Sequence, residues 1–158
     1  MNSQLKNVIE QVNEALVQDD DSIIYGEINS GIEVINADTP HMRQYYDFFG
    51  ISNSARCGGI DFWSYEELNK NQYRLTSWMD DVGDWLEVGQ VLYEPLVINR
   101  NSGLLYVLKE EEGIQVEENM GEWDDFLFNY VFGNGYRSIL PGVDVDEWYL
   151  LLKRLGFV

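Results

Sequence analysis

The sequence predicts an α+β fold in which a single domain has a mostly antiparallel central sheet, with N- and C-terminal helices packed on it. The length of 158 residues fits one domain, and 45% hydrophobic residues are enough for a packed core. Apolar residues at helical spacing occur at both ends of the chain. Two continuous apolar runs near its middle are separated by a glycine-containing turn, which is typical of an antiparallel hairpin.

The chain opens with a predicted helix. Residues 4–17 carry apolar side chains at helical spacing, and Ser3 is the candidate N-cap. The acidic run 19–21 ends this helix, because carboxylates are unfavourable at the negative end of a helix dipole.

Short elements follow. The apolar runs 23–25 and 32–35 flank an Asn-Ser-Gly turn and favour a hairpin, with a distorted helical turn as the alternative. Residues 39–50 begin with Thr-Pro and end with Gly, which predicts a second helix. Residues 59–63 predict a strand, and a capping box over residues 64–67 starts a short helix.

The clearest strand signal is the pair of runs 95–98 and 104–108. Because both runs are continuously apolar, we expect this hairpin to lie centrally in the sheet. Residues 114–117 alternate between apolar and polar side chains, which predicts a more exposed strand after the next turn.

Two helices are predicted at the C-terminal end, over residues 122–132 and 145–155. Either Asp144 or Asp146 caps the second of these, and Gly156 follows it at the position where helices commonly end. The Gly-Asn-Gly sequence that begins at residue 133 is interpreted as helix termination plus a turn.

Charge is the most unusual property of the composition. The chain has 28 acidic and 10 basic residues, a net charge of −18, and residues 76–125 carry 13 of the acidic residues against Arg100 and Lys109. Such a surface repels phosphate backbones and anionic lipids, so we expect no nucleic-acid and no membrane partner. The acidic middle third is either a solvated face that keeps the protein soluble or a docking surface for a basic protein.

Targeting and redox signals are absent from the sequence. The N-terminal segment carries charges throughout, unlike a signal peptide, and no run of 18 apolar residues exists. The single Cys57 cannot form an internal disulfide. A cytoplasmic location is the expectation.

Catalytic patterns are scarce, so we expect no enzyme, no cofactor and no metal site. The lone His41 is interpreted as a surface or capping histidine, and Cys57 as a buried or incidental thiol, although each could act in catalysis. Asp80 and Asp84 are four residues apart and could share a helix face with Asp81 beside them, which leaves a carboxylate enzyme as a minor alternative.

The segment from Trp78 to Glu87 gives the strongest binding signal. Tryptophan is a common interface anchor, and carboxylates around it can pair with Arg or Lys of a partner. The alternative is that both tryptophans pack in the core while the aspartates solvate a loop. The predicted partner-binding residues are Trp78, Asp80, Asp81, Asp84, Trp85 and Glu87.

Several stretches between residues 37 and 133 resemble the SUKH superfamily, which includes bacterial toxin-immunity proteins and a fungal cell-wall synthesis regulator. The similar stretches are Thr39-Pro40 with the aromatic helix to Gly50, Gly59 to Leu68, Pro95 to Ile98 with Asn101 to Tyr106, and Trp123 to Leu127. The apolar segment 32–37 and the helix after Gly142 depart from the family pattern.

The resemblance implies a SUKH-like fold and an immunity protein that binds one cognate toxin, often a nuclease or another intracellular effector. Such toxins are frequently basic, which suits an acidic surface. The alternative is an intracellular regulatory or scaffold protein of the same fold without a toxin partner. The identity of the toxin and the oligomeric state are not implied.

Overall fold

Seven strands form one antiparallel sheet, and their order across the sheet is the same as their order along the chain. The structure is a computed structural model, which describes residues 1–33 and 36–158. The strands are β1 (Gly26–Ile28), β2 (Ala55–Cys57), β3 (Ile60–Phe62), β4 (Trp85–Val91), β5 (Glu94–Asn99), β6 (Leu104–Glu111) and β7 (Ile114–Glu122). The helices are α1 (Ser3–Val17), α2 (Arg43–Phe49), α3 (Leu68–Asn71), α4 (Trp123–Phe126), α5 (Tyr136–Ile139) and α6 (Glu147–Leu155). The predicted α+β class is confirmed.

Short turns complete the described elements. Three-residue 3₁₀ turns lie at Ser22–Ile24, Pro40–Met42 and Val143–Val145, and a longer one spans Gln72–Ser77. A π-helical turn, Leu127–Val131, continues α4, so the predicted helix over residues 122–132 is present with a widened second half.

The main hydrophobic core lies on one face of the sheet, which we call the inner face. Side chains from α1, α2, α4 and α6 pack there against alternate residues of the strands. Trp123 is at its centre, with ring centroids of Tyr45, Phe48 and Phe62 at 4.8, 5.4 and 5.3 Å. The aromatic residues that sequence spacing assigned to two separate helices therefore meet in one cluster.

Both long helices are capped, with one difference from prediction. Asn2, not Ser3, is the N-cap of α1, and its side-chain oxygen accepts from the Gln4 amide at 2.7 Å. At α6, Asp146 is the cap and accepts from the Tyr149 amide at 2.9 Å.

The predicted hairpin over residues 23–35 is wrong in its described part. Residues 22–24 form a 3₁₀ turn, and β1 pairs with β2 instead of with residues 32 and 33. Val34 and Ile35 lie outside the described residues. Gly26 is the first residue of β1, and a β-carbon there would lie 2.8 Å from Leu16 Cδ2 and 2.9 Å from the Trp148 ring, so a larger residue would force these side chains to shift.

The predicted central hairpin is confirmed as β5 and β6, which pair with each other and with β4 and β7. Strands β2 and β4 were not predicted. β2 has only three residues, and β4 contains a charged residue, a glycine and a β-bulge, all of which weaken an alternating pattern.

Candidate functional site

The opposite face of the sheet, the outer face, carries a row of polar side chains across β1 to β4. Glu27, Arg56, Asp61 and Gln90 stand at paired positions on successive strands. Asp61 accepts hydrogen bonds from Arg56 Nε at 3.0 Å and from Gln90 Nε2 at 2.9 Å. The Asp61 carboxylate is thus satisfied within the sheet, and this row stabilises the strand pairing.

A different structure covers the outer face over β4 to β6. Residues 72–84, which we call the strap, pack a small second core against it. Its fully buried members are Leu75, Val97 and Leu108. Five half-buried side chains complete it: Trp78, Met79, Val82, Trp85 and Tyr106.

Hydrogen bonds fix the strap at several points. The Gln72 side chain donates to the Glu87 carbonyl and accepts from the Glu87 amide, both at 2.9 Å. The Ser77 carbonyl accepts from the Gln115 side chain of β7 at 3.3 Å. At its end, the Asp84 carbonyl accepts from the Arg100 amide at 2.7 Å.

The central anchor is an ion pair between Arg74 and Glu87. Arg74 donates to Glu87 Oε1 through Nε at 2.9 Å and through Nη2, and Trp63 Nε1 lies 3.3 Å from the same oxygen. Arg74 Nη1 also donates to the Tyr93 carbonyl at 2.8 Å. Within the described residues, Glu87 Oε2 is buried without a hydrogen-bond partner.

Glu87 is therefore not a partner contact, and that prediction is wrong. Its side chain has no exposed surface, because the strap lies over it. Sequence reasoning grouped Glu87 with its acidic neighbours, whereas the structure assigns it to holding the strap on the sheet.

Burial raises the pKa of the Glu87 carboxyl above its ordinary value of 4.5, and the hydrogen bonds and charge of Arg74 oppose this only in part. A carboxyl with a raised folded-state pKa stabilises the fold below its unfolded-state pKa, and this contribution is lost as pH rises through the folded-state value. We therefore expect the wild type to lose stability relative to Glu87→Gln as pH rises from about 4.5. Urea denaturation of both proteins across this range measures the difference, and a constant difference would contradict the expectation.

The other five predicted contact residues lie on the strap or directly after it. Trp78 and Trp85 are half-buried in the second core, and the Trp85 ring packs edge-on against Tyr106 at 5.4 Å. Asp80, Asp81 and Asp84 are exposed. This placement matches the alternative interpretation, in which the tryptophans pack inward and the aspartates solvate a loop, and binding of a partner by this segment stays a prediction.

The three aspartates do not share a helix face. The 3₁₀ turn ends at Ser77, and the residues up to Asp84 have no helical structure. Asp81 accepts from the Gly83 amide at 3.0 Å, so one of its oxygens serves the loop. The carboxylate-pair arrangement on which the minor enzymatic alternative depended is absent from this segment.

Two glutamates extend this charge onto the neighbouring strands. Glu110 on β6 and Glu117 on β7 are exposed and, by strand alternation, lie on the outer face beside the strap. We call these two residues and the three strap aspartates the acidic surface. None of the five forms a salt bridge with any described residue.

A strained turn next to the strap was not predicted. Leu92 and Tyr93, between β4 and β5, have φ angles of 49° and 74°, a region that costs non-glycine residues about 1–2 kcal/mol each. The bond from Arg74 to the Tyr93 carbonyl supports this turn. Tyr93 is 82% exposed and Tyr73 on the strap is 71% exposed. No feature of the sequence distinguishes this turn from an ordinary strand.

Two further side chains and one cavity lie outside the strap. Cys57 is buried in β2, and burial raises the pKa of its thiol well above the ordinary value, so it is not an activated nucleophile. His41 is exposed on a 3₁₀ turn. A cavity of about 500 Å³ between α1 and the π-helical turn is lined by amides, glycines and apolar side chains.

Two kinds of feature are missing from the described ranges, 1–33 and 36–158. No group of three or more His, Cys, Asp or Glu side chains there is arranged to hold a metal ion. No helix in those ranges is long and apolar enough to cross a membrane.

Comparison of the chain with protein-family models, curated proteins and solved structures finds no match. The resemblance to the SUKH superfamily therefore stays a hypothesis that depends on the sequence motifs alone.

Proposed function

We propose that this chain is an immunity protein, which binds and neutralises a cognate toxin through the acidic surface. One observation carries the proposal: five exposed carboxylates that form no ion pair with any described residue lie on the outer face together with two half-buried tryptophans. Unpaired carboxylates can accept Arg and Lys side chains of a partner, and the tryptophans supply anchoring area. The partner that fits is a basic protein.

The resemblance to the SUKH superfamily supplies the class of partner. A toxin that acts inside the cell and binds nucleic acid needs a basic surface. The acidic surface of this chain would cover that basic surface. Binding alone blocks such a toxin, so the proposal requires no catalysis by this chain, no cofactor and no metal. It places the protein in the cytoplasm, where the toxin acts.

Charge reversal on the strap tests the proposal. We expect Asp80→Lys/Asp81→Lys/Asp84→Lys to weaken binding by about 100-fold or more, because like charges at an interface cost several kcal/mol. Co-purification with the product of the adjacent gene provides the partner. The affinity of the purified pair is then measured at low and at high salt, and wild-type binding should weaken as salt rises.

A matched control separates local charge from total charge. The control variant Glu10→Lys/Glu14→Lys/Asp20→Lys changes the net charge from −18 to −12, as the strap variant does. Its three substituted residues are also exposed, but they lie in α1 or just after it, on the other side of the sheet from the strap. The control should bind nearly as well as wild type. Equal effects of both variants, or affinity independent of salt, would contradict the proposal. Tight binding to a partner that is no toxin would favour the scaffold alternative.

A further inference from the structure

The outer edge of β7 offers a second kind of recognition. β7 has nine residues and is the last strand of the sheet, and among the described strands it pairs with β6 alone. Apart from β6, α4 is the one described element that packs extensively on it, and α4 begins where β7 ends. At the other edge of the sheet, β1 has three residues and begins at the buried Gly26, so it offers a much shorter edge.

The turn before β7 determines which of its backbone groups are free. Glu112 and Gly113 have φ angles of 53° and 78°, and Glu111 pairs with Ile114 across them. In such a two-residue hairpin the flanking pair exchanges hydrogen bonds, and bonded pairs then alternate along the ladder. The amides and carbonyls of Gln115 and Glu117 therefore point away from β6 toward the open edge.

The charge of β7 indicates what can occupy this edge. Its charged residues are Glu117, Glu118 and Glu122, and Lys109 on β6 is paired with Glu118. Natural edge strands often carry charge to prevent pairing between copies. A second copy of β7 would bring glutamates close to glutamates, which is unfavourable. A strand carrying Lys or Arg meets opposite charge instead.

We infer that an extended basic segment of the partner pairs with the edge of β7 and adds an eighth strand to the sheet. The inference rests on the proposed function for its partner and adds the mode of binding. On the outer face, Lys or Arg at alternate positions would lie beside Glu117. On the inner face, apolar residues would lie beside Ile114, which is 67% exposed, and the half-buried Val116.

A synthetic peptide of alternating lysine and valine or threonine, eight residues long and blocked at both ends, is the probe. Its control has the same sequence with every backbone amide N-methylated, which preserves the four charges and removes the donors that strand pairing needs. We expect the first peptide to bind at least about tenfold more tightly than the control, since only it can pair along the edge. Equal affinities would overturn the inference.

Amide hydrogen exchange gives the direct readout. With the first peptide bound, the Gln115 and Glu117 amides should exchange at least about tenfold more slowly, because they become hydrogen-bonded. The Val116 and Glu118 amides already face β6 and should change much less. Unchanged exchange at Gln115 and Glu117 would overturn the inference even if the peptide binds.

Two substitutions of Glu117 distinguish the contribution of its backbone amide to peptide binding from that of its side-chain charge. Glu117→Gln removes only the charge, whereas Glu117→Pro also removes the outward amide, and proline is tolerated where that amide faces solvent. We expect the proline variant to bind the peptide more weakly than the glutamine variant. Equal binding by two folded variants would overturn the inference. If the proline variant does not fold, the exchange experiment on the wild type decides.

The outcomes also distinguish the two proposals. In one outcome the peptide binds, the charge reversal on the strap abolishes this binding, and amide exchange on β7 is not slowed. This outcome overturns the edge inference and still agrees with binding at the acidic surface. In another outcome amide exchange on β7 is slowed, and the charge-reversed strap variant binds the partner as tightly as wild type. This outcome supports the edge inference and contradicts the acidic surface as the main contact. A dimer joined through β7 in sedimentation analysis would overturn the inference.

Discussion

Arg74→Met is expected to lower the free energy of unfolding by about 3–5 kcal/mol, because it leaves the buried Glu87 carboxylate without its partner. The hydrogen bond to the Tyr93 carbonyl is lost as well, so the strained turn loses support. The methionine keeps most of the apolar volume of the arginine stem, and the effect therefore reports the lost charge and hydrogen bonds.

Urea denaturation at neutral pH measures this loss, and two comparisons identify its cause. Arg74→Met/Glu87→Leu should recover much of the stability, because an apolar pair replaces the unpaired buried charge. The loss should also be smaller near pH 5, where protonation of Glu87 removes its charge more easily. A loss that is independent of pH and is not recovered in the double variant would show that Arg74 acts through packing alone.

Trp123→Ala is expected to cost about 3–5 kcal/mol, since it opens a cavity where three other aromatic rings meet. Trp123→Phe is the matched control. Among the described residues the indole Nε1 has no hydrogen-bond partner, so phenylalanine removes volume without breaking a bond. We expect it to cost less than half as much. Similar losses for both variants would indicate that ring shape, and not cavity volume, determines stability here.

The sequence was most informative where one physical signal was strong. The runs in β5 and β6 are continuously apolar because both strands are buried within the sheet, and this alone predicted their central place. The amphipathic pattern of α1 predicted its extent within a residue. Its cap was predicted one residue too late, at Ser3 instead of Asn2, because both residue types can cap a helix.

Long-range pairing was beyond the sequence. β1 pairs with β2 across some 30 residues, and no local pattern in either three-residue strand names its partner. At the candidate site, the two tryptophans and three aspartates left an interface and a packed core as open interpretations, and only the structure shows that the tryptophans are half-buried while the aspartates face solvent. Glu87 was misjudged because its burial depends on Arg74, which lies 13 positions earlier and reaches it only when the strap crosses the sheet.

The strap is held by a small core with three fully buried side chains, whereas the main core on the inner face is large and continuous. Cooperative opening of a segment costs less free energy when fewer apolar contacts must be broken. We therefore expect two levels of stability, in which the strap opens and recloses many times during the lifetime of the folded inner core. A partner that binds the strap would suppress this opening. Ordering the strap costs conformational entropy, which would reduce the net free energy of binding.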